Sequence, residues 1–202
     1  MSTSTPNIVP EYAGLAAAVN ERYAKRHGYD FAHVVGASGL TSPVWEKVRL
    51  VREHLPRHDA VFWIDSDAVF NWHDQSLHRW LAGDADFVGC ADQPNGPYHI
   101  NCGTMLVKNT AWSRAFMDAW WRRYRDVRYH RWAFEQEALH HMLDEDELGC
   151  RARVKIEPAA AFNSVYKDVA AGKRDTFVLH FMATPADTRR REIGEVARRL
   201  GV

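Results

Sequence analysis

Apolar residues recur at helical spacing at Tyr12, Leu15, Ala16, Val19 and Tyr23. This pattern predicts a helix over residues 9–27, stopped by His27-Gly28. Phe31–Val35 reads as a short strand. A second helix over Glu46–His54 begins near Ser42-Pro43 and ends at Pro56. The next segment, Ala60-Val-Phe-Trp-Ile64, is apolar without interruption and runs straight into Asp65-Ser66-Asp67. Unbroken apolarity over a strand's length suits a strand covered on both faces, as in a parallel sheet flanked by helices. Further on, 76–82 reads as helix, Asp86–Cys90 as strand, and His99–Val107 as a strand whose pattern Asn101 and Gly103 interrupt. A long helix follows a cap at Asn109 or Thr110, with Phe116, Met117, Trp120, Trp121 and Tyr124 on its inner face. Phe134–Leu143 is another helix, 152–156 and 176–181 are short strands, and a last helix starts at Thr184-Pro185 with Pro at its first position. Strands and helices alternate with no repeat or linker. One α/β domain over residues 1–202, with a mostly parallel central sheet, is the expected organisation.

Composition narrows the function. Lys and Arg number 26 and so do Asp and Glu, so no net field favours nucleic acid or an anionic membrane. Cys90, Cys102 and Cys150 stand far apart, which fits neither a disulfide framework nor a zinc knuckle. The first ten residues lack the apolar core of a signal peptide, and no apolar run is long enough to span a bilayer. These features lead to the expectation of a cytoplasmic enzyme without a membrane span.

In open α/β sheets ligands bind beyond the carboxyl ends of the strands, and Asp65 and Asp67 sit at such an end. In extended backbone, residues i and i+2 point the same way, about 7 Å apart, so both carboxylates reach one Mn²⁺ or Mg²⁺. The competing reading is a turn in which the aspartates bond local amides.

Four groups of segments take the argument further: Tyr23-Ala-Lys-Arg-His-Gly-Tyr-Asp30 with Trp45-Glu-Lys47; Val61-Phe-Trp-Ile-Asp-Ser-Asp-Ala-Val-Phe70; Ile100-Asn-Cys-Gly-Thr-Met-Leu-Val107 with Asn109-Thr-Ala-Trp-Ser113; and Glu135-Gln-Glu-Ala-Leu139 with Phe177-Val-Leu-His-Phe181. In order and spacing they resemble the α-glycosyltransferases of family thirty-four, which include fungal mannosyl- and galactosyltransferases and plant xyloglucan xylosyltransferases. The resemblance implies a GT-A fold and a Mn²⁺-dependent (or Mg²⁺-dependent), retaining transfer of a hexose or pentose. The donor would be a UDP- or GDP-sugar and the acceptor a glycan or other hydroxyl. It makes Asp65, Asp67 and His180 the metal ligands, puts Gln136 by the anomeric face of the donor sugar and Glu135 on sugar or acceptor hydroxyls, and puts Lys47, Ser66, Asn101 and Gly103 on the donor side. Tyr12 is the candidate to stack on the base.

Each residue also has a plainer reading: a backbone-satisfied histidine at His180, exposed helix polar groups at Glu135 and Gln136, a solvated cation at Lys47, a β-bulge at Gly103, a turn residue at Ser66 and a core ring at Tyr12. Arg189, Arg190 and Arg191 read as a solvated basic face. The chain departs from the family in lacking its anchor and stem, in a first nucleotide-binding strand that is short or missing, and in Met182-Ala183 where a Gly-Cys pair is usual. Loops 71–80, 91–100 and 125–133 are the expected acceptor-binding segments.

Two rivals remain. Asp65-Ser-Asp-Ala-Val69 also fits the first motif of haloacid-dehalogenase-type Mg²⁺-dependent phosphatases, with Asp65 as nucleophile and Asp67 as general acid. A non-catalytic sugar-nucleotide-binding module is the other.

Overall fold

A computed structural model describes residues 1–36, 42–92, 99–130, 134–169 and 176–202. Parts of two expected acceptor loops, 93–98 and 131–133, lie outside the described residues. The elements in chain order are β1 (Ser2–Ser4), α1 (Gly14–His27), β2 (His33–Val35), α2 (Glu46–His54), β3 (Ala60–Ile64), β4 (Ala68–Phe70), α3 (His78–Leu81), β5 (Phe87–Ala91), β6 (Ile100–Lys108), α4 (Ala111–Arg122), α5 (Phe134–Asp144), β7 (Val154–Glu157), β8 (Ser164–Val165), β9 (Val178–His180) and α6 (Ala186–Leu200). No helix among the described residues is long and apolar enough to cross a membrane.

The chain divides into two compact units that interleave in sequence: 1–36, 64–76 and 159–202 form one, and 37–63 with 77–158 the other. In the first unit β1 pairs parallel to β2, and β4, β9 and β8 form a mixed three-stranded sheet. Helices α1 and α6 close one apolar cluster, in which Tyr12, Ala16 and Val19 meet Val69, Phe181, Ile193 and Val196. Before α1 the chain makes one wide turn at Val9–Ala13, where the Gly14 amide donates to the Val9 carbonyl five residues back. Such π-type turns are uncommon and gather at functional sites. Gly28 ends α1 at φ 68°, a left-handed conformation that glycine adopts without steric penalty.

The second unit is built on the sheet order β3-β6-β5-β7, with β5 antiparallel to β6 and parallel to β7. Strand β6 is buried from Ile100 to Val107. The β5–β6 register shifts between Gly89 and Cys90, so that Met105 faces Gly89 while Asn101 faces Cys90. Cys102, Gly103 and Thr104 form the irregular stretch between them. The side chain of Thr110 accepts from the Ser113 amide and caps α4 as expected. Helix α4 turns Phe116, Met117 and Trp120 inward, while Trp121 and Tyr124 are half-buried and pack their rings against Trp45.

Two local expectations change. Helix α6 starts one residue later, with Pro185 itself at the cap position and no side-chain cap; the Thr184 hydroxyl donates to the Met182 carbonyl instead. The second concerns the Asp65–Asp67 segment, which turns rather than extends.

Candidate active site

The chain leaves β3 at Ile64 and turns at once: the Ala68 amide donates to the Asp65 carbonyl at 3.0 Å, closing a four-residue turn around Ser66 and Asp67. Asp and Ser favour turns because their side chains satisfy nearby backbone groups. The two carboxylates are therefore brought together by chain reversal, not by the i, i+2 alternation of a strand. Strand β4 then pairs antiparallel with β9, setting Ala68 opposite His180, and the Phe181 amide donates to the Asp67 carbonyl at 2.8 Å. Strand register thus delivers the imidazole to the turn. One ligand atom each of Asp65, Asp67 and His180 lies within 4.8 Å of the others, and His180 Nε2 is 3.4 Å from Asp67 Oδ1.

The donor set fits a divalent ion such as Mn²⁺ or Mg²⁺: two hard carboxylates and one borderline imidazole. The far side of His180 is prepared as well. Its Nδ1 lies 3.0 Å from Asn163 Oδ1, in a buried contact. An amide oxygen only accepts, so in the neutral imidazole, the form that can ligate a metal, Nδ1 carries the proton and Nε2 is the nitrogen turned to the aspartates. Metal-binding histidines are commonly oriented through their second ring nitrogen in this way.

Arg189, in the first turn of α6, reaches the same cluster. Its Nη2 is 3.3 Å from Asp67 Oδ2, its Nη1 donates to the Tyr12 hydroxyl at 3.1 Å, and its Nε donates to the Phe181 carbonyl at 3.1 Å. Burial acts to raise the Asp67 pKa, but a protonated His180 donating to it through Nε2 and the Arg189 guanidinium outweigh that and hold the carboxyl below its usual range. Tyr12 lies in the apolar cluster at 6% exposure, with the guanidinium carbon 5.2 Å from its ring centre. Ser66 is half-buried within the turn.

The second unit carries its own polar cluster. Lys47 Nζ is 2.9 Å from Glu135 Oε1 and donates to the Cys102 carbonyl at 3.1 Å, with 7% and 6% of the two side chains exposed. Gln136 is engaged at both ends of its amide: Oε1 accepts from the Cys102 amide at 2.9 Å, and Nε2 donates to Asp92 Oδ2 at 2.8 Å. Asn101 Oδ1 accepts from the Gly103 amide at 2.9 Å, folding over the irregular stretch of β6. The sequence-derived residues thus form two groups: Asp65, Ser66, Asp67, His180 and Tyr12 in one unit, Lys47, Asn101, Gly103, Glu135 and Gln136 in the other. Sequence reasoning missed Asn163 and Asp92 as partners and left Arg189 in a solvated face.

With this geometry in hand, known proteins supply the class. A glycosyltransferase involved in the glycosylation of the major capsid of PBCV-1 is similar in structure with a TM-score of 0.77 at 18% identity, covering 96% of this chain and 97% of that one. The galactosyltransferase LgtC, solved in complex with donor and acceptor sugar analogues, matches with a TM-score of 0.60 at 14% identity, covering 98% and 94%. The fold is that of the GT-A glycosyltransferases.

Among curated proteins, probable glycosyltransferase 6 of Oryza sativa subsp. japonica is 29% identical over 175 residues, 73% of this chain and 36% of the relative. Probable α-1,6-mannosyltransferase MNN10 of Saccharomyces cerevisiae is 23% identical over 185 residues, 75% of this chain and 47% of the relative. The matches thus cover between about a third and a half of those relatives' own length. Residues 15–87 and 82–187 match the galactosyl transferase GMA12/MNN10 family, and the chain belongs to it.

Proposed function

We propose that this chain is a divalent-metal-dependent, retaining glycosyltransferase that moves a hexose or pentose from a UDP- or GDP-sugar to a hydroxyl of a glycan or other acceptor, with residues 1–202 acting as one catalytic domain. Family membership and fold support sugar transfer. The observation that carries the metal site is the convergence of Asp65, Asp67 and His180 within 4.8 Å.

In this reading Asp65, Asp67 and His180 hold Mn²⁺ or Mg²⁺. The bound ion would offset the negative charge that builds on the departing nucleoside diphosphate. In a retaining transfer the acceptor oxygen bonds the anomeric carbon as its bond to the diphosphate oxygen breaks, and the acceptor proton passes to that oxygen on the same face. The protein then needs no separate base, and its work is positioning and electrostatics. Gln136 is the proposed stabiliser of positive charge at the anomeric carbon, with its amide already fixed by the Cys102 amide and Asp92. Glu135 is assigned to sugar or acceptor hydroxyls, and Lys47, Ser66, Asn101, Gly103 and Tyr12 to the donor side.

The phosphatase alternative asks Asp67 to carry a proton as general acid. A carboxyl held below its usual pKa by His180 and Arg189 is poorly suited to that. A non-catalytic module would bind the donor without releasing nucleotide.

The test is nucleotide release from a panel of UDP- and GDP-sugars with Mn²⁺, run beside calorimetric binding of the nucleoside diphosphate. The wild-type chain should turn over at least one donor and give an α-linked product by NMR. Asp67→Asn should lose metal-dependent nucleotide binding. Full Mn²⁺-dependent binding by Asp67→Asn, or an inverted product, refutes the corresponding part of the proposal.

A further inference from the structure

We propose that Arg189 is a positioning residue of the metal centre: it holds Asp67 Oδ2 so that Oδ1 is presented to the ion, and Tyr12 in turn holds Arg189. The inference rests on the reading that Asp65, Asp67 and His180 bind a divalent cation, and goes beyond it by assigning their supporting shell.

The two oxygens of Asp67 have different surroundings. Oδ1 lies 3.4 Å from Nε2 of His180, another candidate ligand, and Oδ2 lies 3.3 Å from Arg189 Nη2. His180 is divided in the same manner, with Nδ1 on Asn163 and Nε2 on the aspartate side. Two of the three candidate ligands therefore each have one atom engaged by a neighbour outside the set and another turned to a fellow candidate ligand. A carboxylate free to rotate would have to be ordered when the ion binds; one already held need not be.

Arg189 is built to hold it. A guanidinium presents its donors in a rigid planar fork, so contacts at Nε, Nη1 and Nη2 together fix the plane. Those contacts go to the Phe181 carbonyl, the Tyr12 hydroxyl and Asp67. The backbone beneath is also anchored, because the Arg189 amide donates to the Pro185 carbonyl in the first turn of α6. Tyr12 sits on the wide turn at Val9–Ala13, its ring packed among Val69, Phe181 and Ile193 and its hydroxyl against Arg189. This gives Tyr12 a task acting through Arg189, independent of base stacking.

Electrostatics makes the proposal testable, because two effects oppose each other. A fixed cation beside a cation site repels the ion, so removing its charge should tighten binding if repulsion dominates. Removing a group that orients a ligand should weaken binding, typically 10–100-fold for partners of this kind. The positioning role requires the second effect to win.

The experiment is Mn²⁺ titration of the intact chain without nucleotide, followed by the electron paramagnetic resonance signal of free Mn²⁺, with melting temperatures recorded in chelator. Arg189→Met should bind Mn²⁺ at least about tenfold more weakly. Arg189→Lys keeps the charge but not the fork and should fall between wild type and Arg189→Met. Tyr12→Phe keeps the ring and should shift affinity in the same direction by less. Metal-free melting temperatures of Arg189→Lys and Tyr12→Phe should stay near wild type, which separates positioning from general unfolding. Unchanged or tighter Mn²⁺ binding by Arg189→Met overturns the proposal, and so does wild-type affinity in both milder variants. Asp65→Asn is the control: if it binds Mn²⁺ as wild type does, the metal reading itself fails, and this inference with it.

Discussion

Lys47→Met replaces a buried ammonium by an apolar chain of similar length and leaves the Glu135 carboxylate without the partner that lies 2.9 Å away. Both side chains are more than nine-tenths buried, so water cannot take the lysine's place at little cost. Breaking a buried pair from one side costs about 3–5 kcal/mol, because the remaining charge loses its counter-charge in a poorly solvated place. Against a total stability of about 5–15 kcal/mol this is a large share. At about 2–4 °C per kcal/mol for a chain of this size, the melting temperature should fall by about 10 °C. Glu135→Leu should act similarly by taking the counter-charge from the ammonium, which keeps its bond to the Cys102 carbonyl. The double variant Lys47→Met/Glu135→Leu strands neither charge and should recover most of the loss, giving a coupling energy of about 3 kcal/mol in a double-mutant cycle. Urea unfolding of the four proteins measures it. Additive losses, or a Lys47→Met loss below about 1 kcal/mol, would refute the claim that these residues act as a buried pair. The same four proteins separate fold from chemistry: a double variant that is stable but inactive supports the proposed donor and sugar contacts of Lys47 and Glu135 taken together, and one that is stable and active removes both.

His73 offers a pH signature. Burial, opposed by its hydrogen bond to the Phe70 carbonyl and reinforced by Arg22, Arg26 and His27, lowers its pKa from 6.5 to about 4. The folded chain therefore keeps His73 neutral where the unfolded chain protonates it, and stability should fall as pH drops from about 6.5 towards 4, by up to about 3 kcal/mol at about 1.36 kcal/mol per pH unit. Urea midpoints at pH 7 and pH 4.5 check this, and a His73→Asn variant that loses as much as wild type between them would count against it. Asn163→Ala frees His180 Nδ1 and should weaken Mn²⁺ binding about tenfold or more, while Asn163→Asp keeps an acceptor there and should bind at least as well as wild type; equal affinities for Ala and Asp variants would contradict the assigned tautomer.

Elements with a strong repeating pattern are legible in the amino-acid order alone. The helical spacing from Tyr12 to Tyr23, the glycine stop at Gly28, the continuous apolar strand at Ala60–Ile64 and the Thr110 cap all appear where their chemistry puts them. Strands β1, β4 and β8 are two or three residues long, too short to show a period of two, and their existence depends on partners distant in sequence. The Asp65–Asp67 segment shows a subtler limit. Its residues suit both a strand end and a turn, and the choice is made by the next strand, whose pairing with β9 requires the chain to reverse at Ser66.

The candidate metal ligands are legible because a carboxylate pair after an apolar strand is short-range information, whereas the groups that bond them come from elsewhere in the chain. Asn163 lies 17 residues before His180 on a segment with no chemical signature of its own. Arg189 is different, because the sequence does carry a signal for it. Three consecutive arginines on a helix point about 100° apart, at 3.6 residues per turn, so a single site can face only one of them. The buried residues of α6 are Ile193, Val196 and Ala197. Counting back from these, Arg189 stands at i−4, i−7 and i−8 and so shares their inward face, while Arg190 and Arg191 are exposed. A long cation placed on the apolar stripe of an amphipathic helix must find a partner for its charge at the end of that stripe. In this fold the partner is Asp67. Helical period, applied to the charged residues as well as the apolar ones, separates the arginine that reaches Asp67 from the two that face solvent.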